Sequence, residues 1–176
     1  MQVSIDTGNT ETVITSLHAY EADIGVLGEI PQAGDFEVLK LNSTPIIAFA
    51  SRDYYPLAGR ETVTFAELAT HPLVMRETGS KTRQKLESMA EQCGVSLTPL
   101  IEAEGREAVR EIVAAGGGIG FVSSAEFGQD NRLVPIRIDA PEMLMDEALI
   151  CLRERSNGKL VNAFFDIARR LSPALK

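Results

Sequence analysis

Short apolar runs alternate with segments whose apolar residues recur every three or four positions along most of this 176-residue chain. Apolar runs or strict apolar–polar alternation predict strands, and recurrence at helical spacing predicts amphipathic helices. Strands are predicted at residues 3–6, 23–28, 36–41, 45–51, 73–75, 97–101, 119–122, 133–138 and 148–152. Helices are predicted around residues 13–20, 64–71, 86–93, 108–113 and 160–171. This alternation, without a tandem repeat, indicates an α/β protein with mainly parallel sheets.

Polar residues and glycines mark where several of these helices begin and end. Asn9 or Thr10 is the expected N-cap of the first helix, because a side-chain oxygen there can accept from free N–H groups one turn on. Residues 64–67 (TFAE) and 123–126 (SSAE) each have the spacing of a capping box. The glycines at 116–118 follow a helix and precede a strand, the reverse of a dinucleotide-binding loop, so they predict a left-handed helix end.

The composition, 44% hydrophobic and 24% charged residues, is that of a globular protein with room for one domain or two small lobes. A net charge of −8 disfavours binding to a nucleic-acid backbone, and no apolar run is long enough for a membrane span, so we expect a cytoplasmic protein. Cys93 and Cys151 form no CxxC pair and are expected to be buried free thiols. His18 and His71 have no neighbours at metal-ligand spacing. The sequence therefore predicts no metal and no cofactor.

Motifs for catalysis are missing from the sequence. It has no GxSxG elbow, no HExxH and no Walker loop. A Ser-His-Asp triad is not expected either, because one of the two histidines directly precedes a proline. We therefore expect no enzymatic activity.

The segment 76–83 (RETGSKTR) joins a predicted strand to a predicted helix and is rich in groups that bind anions. Its candidate ligand-binding residues are Thr78, Gly79, Ser80 and Thr82. The free N–H groups and the positive end of the helix dipole would face a carboxylate or phosphate at the end of the sheet. The alternative is that Thr78 or Ser80 merely caps the helix, and the spacing alone leaves both possibilities open.

Two further polar turns also lead from a strand to a helix, at residues 7–10 and 104–107. In open α/β sheets ligands bind beyond the carboxyl ends of the strands, so the three turns are expected to converge on one cleft. Arg106 offers a planar fork for an oxyanion, and Glu104 or Glu107 could meet an ammonium group. The two turns add six candidate site residues: Gly8, Asn9, Thr10, Glu104, Arg106 and Glu107.

Six short segments, in the same order and over nearly the whole chain, resemble the effector-binding domain of LysR-type transcriptional regulators. They are residues 23–26 (DIGV), 55–58 (YPLA), 64–68 (TFAEL), 72–77 (PLVMRE), 79–83 (GSKTR) and 112–121 (IVAAGGGIGF). The resemblance implies two Rossmann-like lobes of the type 2 periplasmic-binding-protein kind, with a small-molecule effector in the cleft between them. It also implies a homo-oligomer, most simply a dimer.

Part of the chain resembles a narrower group within this family, and some segments of the family pattern are not found in it. Residues 106–110 and 125–127 are similar to regulators associated with 2-aminoethylphosphonate, a zwitterion that would suit the hydroxyl and Arg donors and one carboxylate of the turns. The effector is expected to be a carboxylate, an amino acid or a phosphonate. The family's first strand, first long helix and DNA-binding domain have no counterpart in this chain, so DNA would be contacted only through a domain absent from it. Lobe I is expected at 1–72 and 135–176, and lobe II at 73–134.

Allosteric sensing of a small anionic or zwitterionic metabolite is the function that the sequence favours, with the signal passed on through dimer geometry. The first alternative is a transport solute-binding protein of the same fold, for which a signal peptide or lipobox would be expected; residues 1–8 resemble neither. The second alternative is an enzyme on a similar scaffold, for which Glu104 and Glu107 are the available acid/base pair.

Overall fold

A computed structural model describes residues 3–31, 34–54, 57 and 59–172 of the chain. Three residues of the YPLA segment, at positions 55, 56 and 58, lie outside this range. The helices are α1 (Thr10–His18), α2 (Phe65–Leu68), α3 (Lys81–Gln92), α4 (Arg106–Ala114), α5 (Ser124–Phe127) and α6 (Lys159–Leu171). The strands are β1 (Gly25–Leu27), β2 (Phe36–Ser51), β3 (Thr62–Val63), β4 (Val74–Arg76), β5 (Ile101–Ala103), β6 (Ile119–Ser123), β7 (Leu133–Ile138) and β8 (Leu144–Leu152).

The chain forms two compact units. The smaller unit comprises Met1–Ser43 and Asp146–Lys176, and the larger unit comprises Thr44–Met145. Both passages of the chain from one unit to the other fall inside strands, in β2 and in β8. The boundaries predicted from the sequence, at 72/73 and 134/135, lie within the larger unit. They differ because β7 pairs with residues 48–51 of β2 and so stays with that unit.

The smaller unit is a sheet with a helix on each face. In it β1 pairs antiparallel with β8. Because successive strand residues point to opposite faces, Ile150 and Leu152 pack with Leu17 of α1, whereas Leu149 and Cys151 pack with the α6 side chains.

The larger unit is built on the second part of β2, which pairs antiparallel with β6 on one side and β7 on the other. Strand β3 is parallel to β7, and β4 is parallel to β5. Leu73, just before β4, forms a parallel bridge to Ile119 of β6. Leu86 of α3 lies in one apolar cluster of this unit, and Val109 of α4 lies in the other. Strands β4, β5 and β6 therefore end at one edge of the unit, which we call the carboxyl edge.

Residues 3–9 form no strand, so the prediction for residues 3–6 is wrong. The side chains of Val3 and Ile5 are exposed, and no strand in the described part of the chain pairs with them. Alternation makes a stable strand only where a partner supplies cross-strand contacts and covers one face.

Other sequence predictions also need correction. Residues 36–51 form one sixteen-residue strand rather than two, because the polar residues between Leu41 and Pro45 lie where the strand passes between units. The strand predicted at 97–101 is instead β5, at 101–103. The sheets are mixed rather than mainly parallel, since β2 pairs antiparallel with both of its neighbours in the larger unit.

The predicted local signals have mixed outcomes. The capping box at 64–67 is confirmed, with both of its hydrogen bonds present. Ser123 precedes α5 but makes no capping bond; its hydroxyl lies 3.3 Å from Glu126 Oε2 instead. Gly116, with φ of 86°, is the expected left-handed helix end. Cys151 is buried and free as predicted, whereas Cys93, at the end of α3, is free but exposed.

No helix in the described residues combines the length and the apolar character that crossing a membrane requires.

Candidate functional site

The N-terminus of α3 lies at the carboxyl edge of the larger unit. Gly79 has a φ of 98°, which glycine adopts without strain, and Ser80 follows as the N-cap residue. The turn is closed by a 3.2 Å hydrogen bond from the Ser80 N–H to the Glu77 carbonyl. Ser80 is 3% exposed and Thr82 is 9% exposed, whereas Thr78 is exposed. Two hydroxyl side chains are thus buried at the start of a twelve-residue helix.

The Ser80 hydroxyl does not act as a helix cap. It makes no hydrogen bond to the first turn of α3. By contrast, the side chains of Asn9 and Thr64 accept from the backbone N–H groups of Thr12 and Glu67, at 3.0 and 3.2 Å. The chain therefore caps helices with side chains elsewhere, and the capping alternative for Ser80 is not supported by its geometry.

The Glu77 carboxylate joins the turn before α3 to the turn before α4. It accepts two hydrogen bonds of 2.8 Å from the Arg76 guanidinium and one of 3.1 Å from the Gly105 N–H. The bonds from Arg76 lower the pKa of Glu77. Partial burial acts in the opposite direction but has the smaller effect. Gly105 has a φ of 79°, so this connection uses a backbone shape suited to glycine. The parallel pairing of β4 and β5 brings the two turns side by side, and Glu77 fastens them.

Arg83, the last residue of the segment 76–83, makes structural contacts. Its guanidinium donates to the carboxylates of Glu87 and Glu102 and, at 2.8 Å, to the Arg76 carbonyl. The two carboxylates raise the pKa of Arg83. Arg83 therefore holds α3 onto β4 and β5.

Arg106 and Glu107 line a pocket of about 380 Å³ in the larger unit. Arg106 Nε donates to Glu107 Oε1 at 2.8 Å, and Nη1 donates to Glu126. This pairing raises the pKa of Arg106 and lowers that of Glu107. The other residues lining the pocket are Phe49, Arg110, Phe121, Val122, Ala125, Glu126 and Phe127. The pocket is thus lined by three aromatic side chains and by charged groups of both signs.

The remaining candidates are placed as follows. Glu104 is exposed, next to Gly105 at the carboxyl edge. Asn9 caps α1 in the smaller unit, with Gly8 before it and Thr10 as the first helical residue. The turns at 78–82 and 104–107 are therefore neighbours within one unit, whereas the contribution of residues 7–10 to the same site stays a prediction.

The sequence predicts no ligand-site role for Glu77 or Glu126. Glu77 stood inside the segment 76–83, but its partners lie one residue before it and 28 residues after it, and only the pairing of β4 with β5 brings the second one close. The sequence predicts Glu126 as part of a capping box, whereas its pairing with Arg106 joins residues 20 positions apart. The contacts Glu77–Gly105 and Glu126–Arg106 join residues too far apart in the sequence for a short motif to indicate them.

The LysR substrate binding domain model matches residues 1–172. The chain belongs to this family. As a LysR substrate-binding domain it is similar to the RuBisCO operon transcriptional regulator of Allochromatium vinosum, with 31% identity over 119 residues, 68% of this chain and 39% of the relative. It is 29% identical over 167 residues to the regulator CbbR of Xanthobacter flavus, covering 93% of this chain and 50% of the relative. The domain thus spans half or less of these relatives' length.

Solved structures agree with the fold of the chain. The regulatory domain of Synechocystis PCC6803 CcmR in complex with 2-PG has a TM-score of 0.83 and 24% identity, covering 98% of this chain and 84% of that one. The effector-binding domain of QuiR in complex with shikimate has a TM-score of 0.79 and 18% identity, covering 94% of this chain and 78% of that one. The predicted type 2 periplasmic-binding-protein-like fold is confirmed. The relatives are regulators, so the transport alternative is not favoured.

Proposed function

We propose that this LysR substrate-binding domain senses a small anionic or zwitterionic metabolite at the carboxyl edge of its larger unit. The observation that carries the proposal is the Ser80 side chain, which is buried at the N-cap of a twelve-residue helix without making the capping bond. A hydroxyl in this position, with the free N–H groups of the first helical turn, is a set of donors suited to an oxyanion.

Several neighbouring features fit the same ligand class. The positive end of the α3 dipole stabilises a negative charge placed beside Ser80, and Thr82 adds a second hydroxyl in the first turn. In the neighbouring turn before α4, Arg106 can add a planar donor and Glu107 can meet an ammonium group. The candidate contacts are Thr78, Gly79, Ser80, Thr82, Glu104, Arg106 and Glu107, joined by Gly8, Asn9 and Thr10 of the smaller unit.

The ligands of two structurally similar domains support a small metabolite as the ligand of this one. CcmR was solved with 2-PG and QuiR with shikimate. A carboxylate, an amino acid or a phosphonate, including 2-aminoethylphosphonate, matches the donors at α3.

A regulatory rather than an enzymatic role belongs to the same proposal. A general acid needs a pKa raised toward neutrality, and the pairing with Arg106 moves the pKa of Glu107 the other way. We extend to the whole protein the properties of a LysR regulator: a cytoplasmic homodimer that contacts DNA through a domain outside this chain, without a cofactor.

The proposal is tested by backbone amide NMR during titration with inorganic phosphate, 2-PG, 2-aminoethylphosphonate and shikimate. We expect at least one ligand to shift the amide resonances of Ser80, Lys81 and Thr82 more than those at the C-terminal end of α3. Saturable shifts that leave residues 78–82 and 104–107 unchanged would place the ligand elsewhere and contradict the proposal.

A further inference from the structure

Among the described residues, one buried side-chain oxygen of the larger unit has no hydrogen-bond partner. This oxygen is Thr44 Oγ1. Buried hydroxyl groups in folded proteins are nearly always bonded, to protein, water or ligand. Thr44 is also the first residue of the larger unit, in the strand through which the chain enters it.

The strand register places Thr44 at the carboxyl edge. Ile46 of β2 pairs with Ser123, the last residue of β6, and the two strands are antiparallel. The residues of β2 that precede Ile46 therefore continue past the carboxyl end of β6. The bridge from Leu73 to Ile119 makes the chain leading into β4 parallel to β6, so α3, which follows β4, begins at this same edge.

Thr44 also lies on the face of the sheet that α3 covers. Side chains two residues apart on a strand share a face, so Thr44 shares that of Ile46. Ile46 packs in one apolar cluster with Leu86 of α3. Thr82 precedes Leu86 by one helical turn and lies on the same buried side of the helix. Thr44 on the sheet and Thr82 on α3 thus belong to the same packed layer, and both lie at the carboxyl edge.

We propose that Thr44 is a further ligand contact of this domain, and that its hydroxyl bonds the oxyanion held at Ser80 and Thr82. This inference rests on the function proposed above. It adds a residue from the strand that carries the chain between the two units to a site otherwise made from turns and helix starts. A carboxylate or phosphate oxygen supplies the acceptor that the Thr44 hydroxyl lacks.

The test is calorimetric titration of wild type and Thr44→Val with inorganic phosphate, 2-PG, 2-aminoethylphosphonate and shikimate. Valine removes the hydroxyl at nearly constant volume. For the probe that wild type binds most tightly, we expect Thr44→Val to weaken binding about tenfold or more, the loss of one charge-assisted hydrogen bond. The melting temperature without ligand should stay equal or rise, because the variant no longer buries an unbonded oxygen.

Two further variants complete the comparison. Thr44→Ser keeps the hydroxyl and should bind within about threefold of wild type. Thr62→Val makes the same change in the edge strand β3 of the same unit and should leave affinity unchanged. If Thr44→Val does not fold, Thr44→Ala against Thr44→Ser gives the same contrast.

The outcomes separate the two proposals. Wild-type affinity in Thr44→Val overturns the assignment of Thr44 and leaves the site at α3 standing. Failure of wild type to bind any of the four probes overturns both the oxyanion site and the role of Thr44.

Discussion

At the scale of single residues, the Glu77 carboxylate is the contact on which the geometry of the proposed site depends. It accepts two hydrogen bonds from Arg76 and one from the Gly105 N–H, and the side chains of Arg76 and Glu77 are each less than one-fifth exposed. Removing one charge from such a set leaves the Arg76 guanidinium without its partner. Glu77 thus gives stability and, by holding two turns together, keeps the donors in register.

We expect Glu77→Gln to lower the free energy of unfolding by about 1–3 kcal/mol at pH 7, because hydrogen bonds to a charged group are lost. The folded pKa of Glu77 lies below its unfolded value, so its contribution is present above about pH 4.3 and fades as the pH falls through the folded pKa. Urea unfolding of wild type and variant at pH 7 and pH 3 measures the difference. Glu91→Gln, on the exposed side of α3, is the control; a difference undiminished at pH 3 would contradict the ionic origin.

Helix N-caps show what single residues reveal before the fold is known. The sequence predicts the capping box at Thr64 and limits the cap of α1 to Asn9 or Thr10, and the structure has Thr64 and Asn9 as the caps. Ser80 has an equally good local context, yet its side chain is buried without the cap bond. The difference arises from the strands and the turn around Ser80, which no short motif encodes.

At the scale of elements, α6 has two apolar sides. Val161 and Phe165 are buried against the sheet of the smaller unit. The exposed apolar residues of the same helix are Leu160, Phe164, Ile167 and Leu171. Because exposed apolar stripes are often contact surfaces, we expect this side of α6 to take part in the predicted homo-oligomer. The apolar period predicted the helix, but it did not tell which apolar side would be covered.

Phe164→Glu is therefore expected to change unfolding by less than about 1 kcal/mol and to lower self-association. Phe165→Ala, one residue along and buried, should cost about 3–5 kcal/mol. Light scattering over a concentration series, with urea unfolding in parallel, measures both effects. An unchanged oligomer in Phe164→Glu would show that this side of α6 takes no part in association.

At the scale of the whole molecule, the sequence predicted the family and the α/β class well, because six segments in fixed order carry the resemblance. The division into units was less predictable. It depends on β7 returning to β2, a pairing between residues about 85 positions apart, and on β2 and β8 each serving both units. Hydrophobic pattern finds the strands but not their partners.

The net charge of −8 gives a prediction at the same scale. The isolated chain should not bind duplex DNA in a sequence-dependent way, because such binding requires clustered lysine and arginine on the phosphates. An electrophoretic shift assay at about 150 mM salt tests this. Retardation at nanomolar protein that depends on the DNA sequence would contradict it.

The central claim, an oxyanion site at the start of α3, is tested most directly by calorimetry on wild type and Ser80→Ala with the ligand that wild type binds best. Ser88→Ala, on the exposed side of the same helix, is the matched control. The account predicts a loss of about 1–3 kcal/mol in binding for Ser80→Ala, nearly unchanged melting without ligand, and no effect of the control. Unchanged affinity together with about 1 kcal/mol of lost stability would make Ser80 a structural residue and contradict the site.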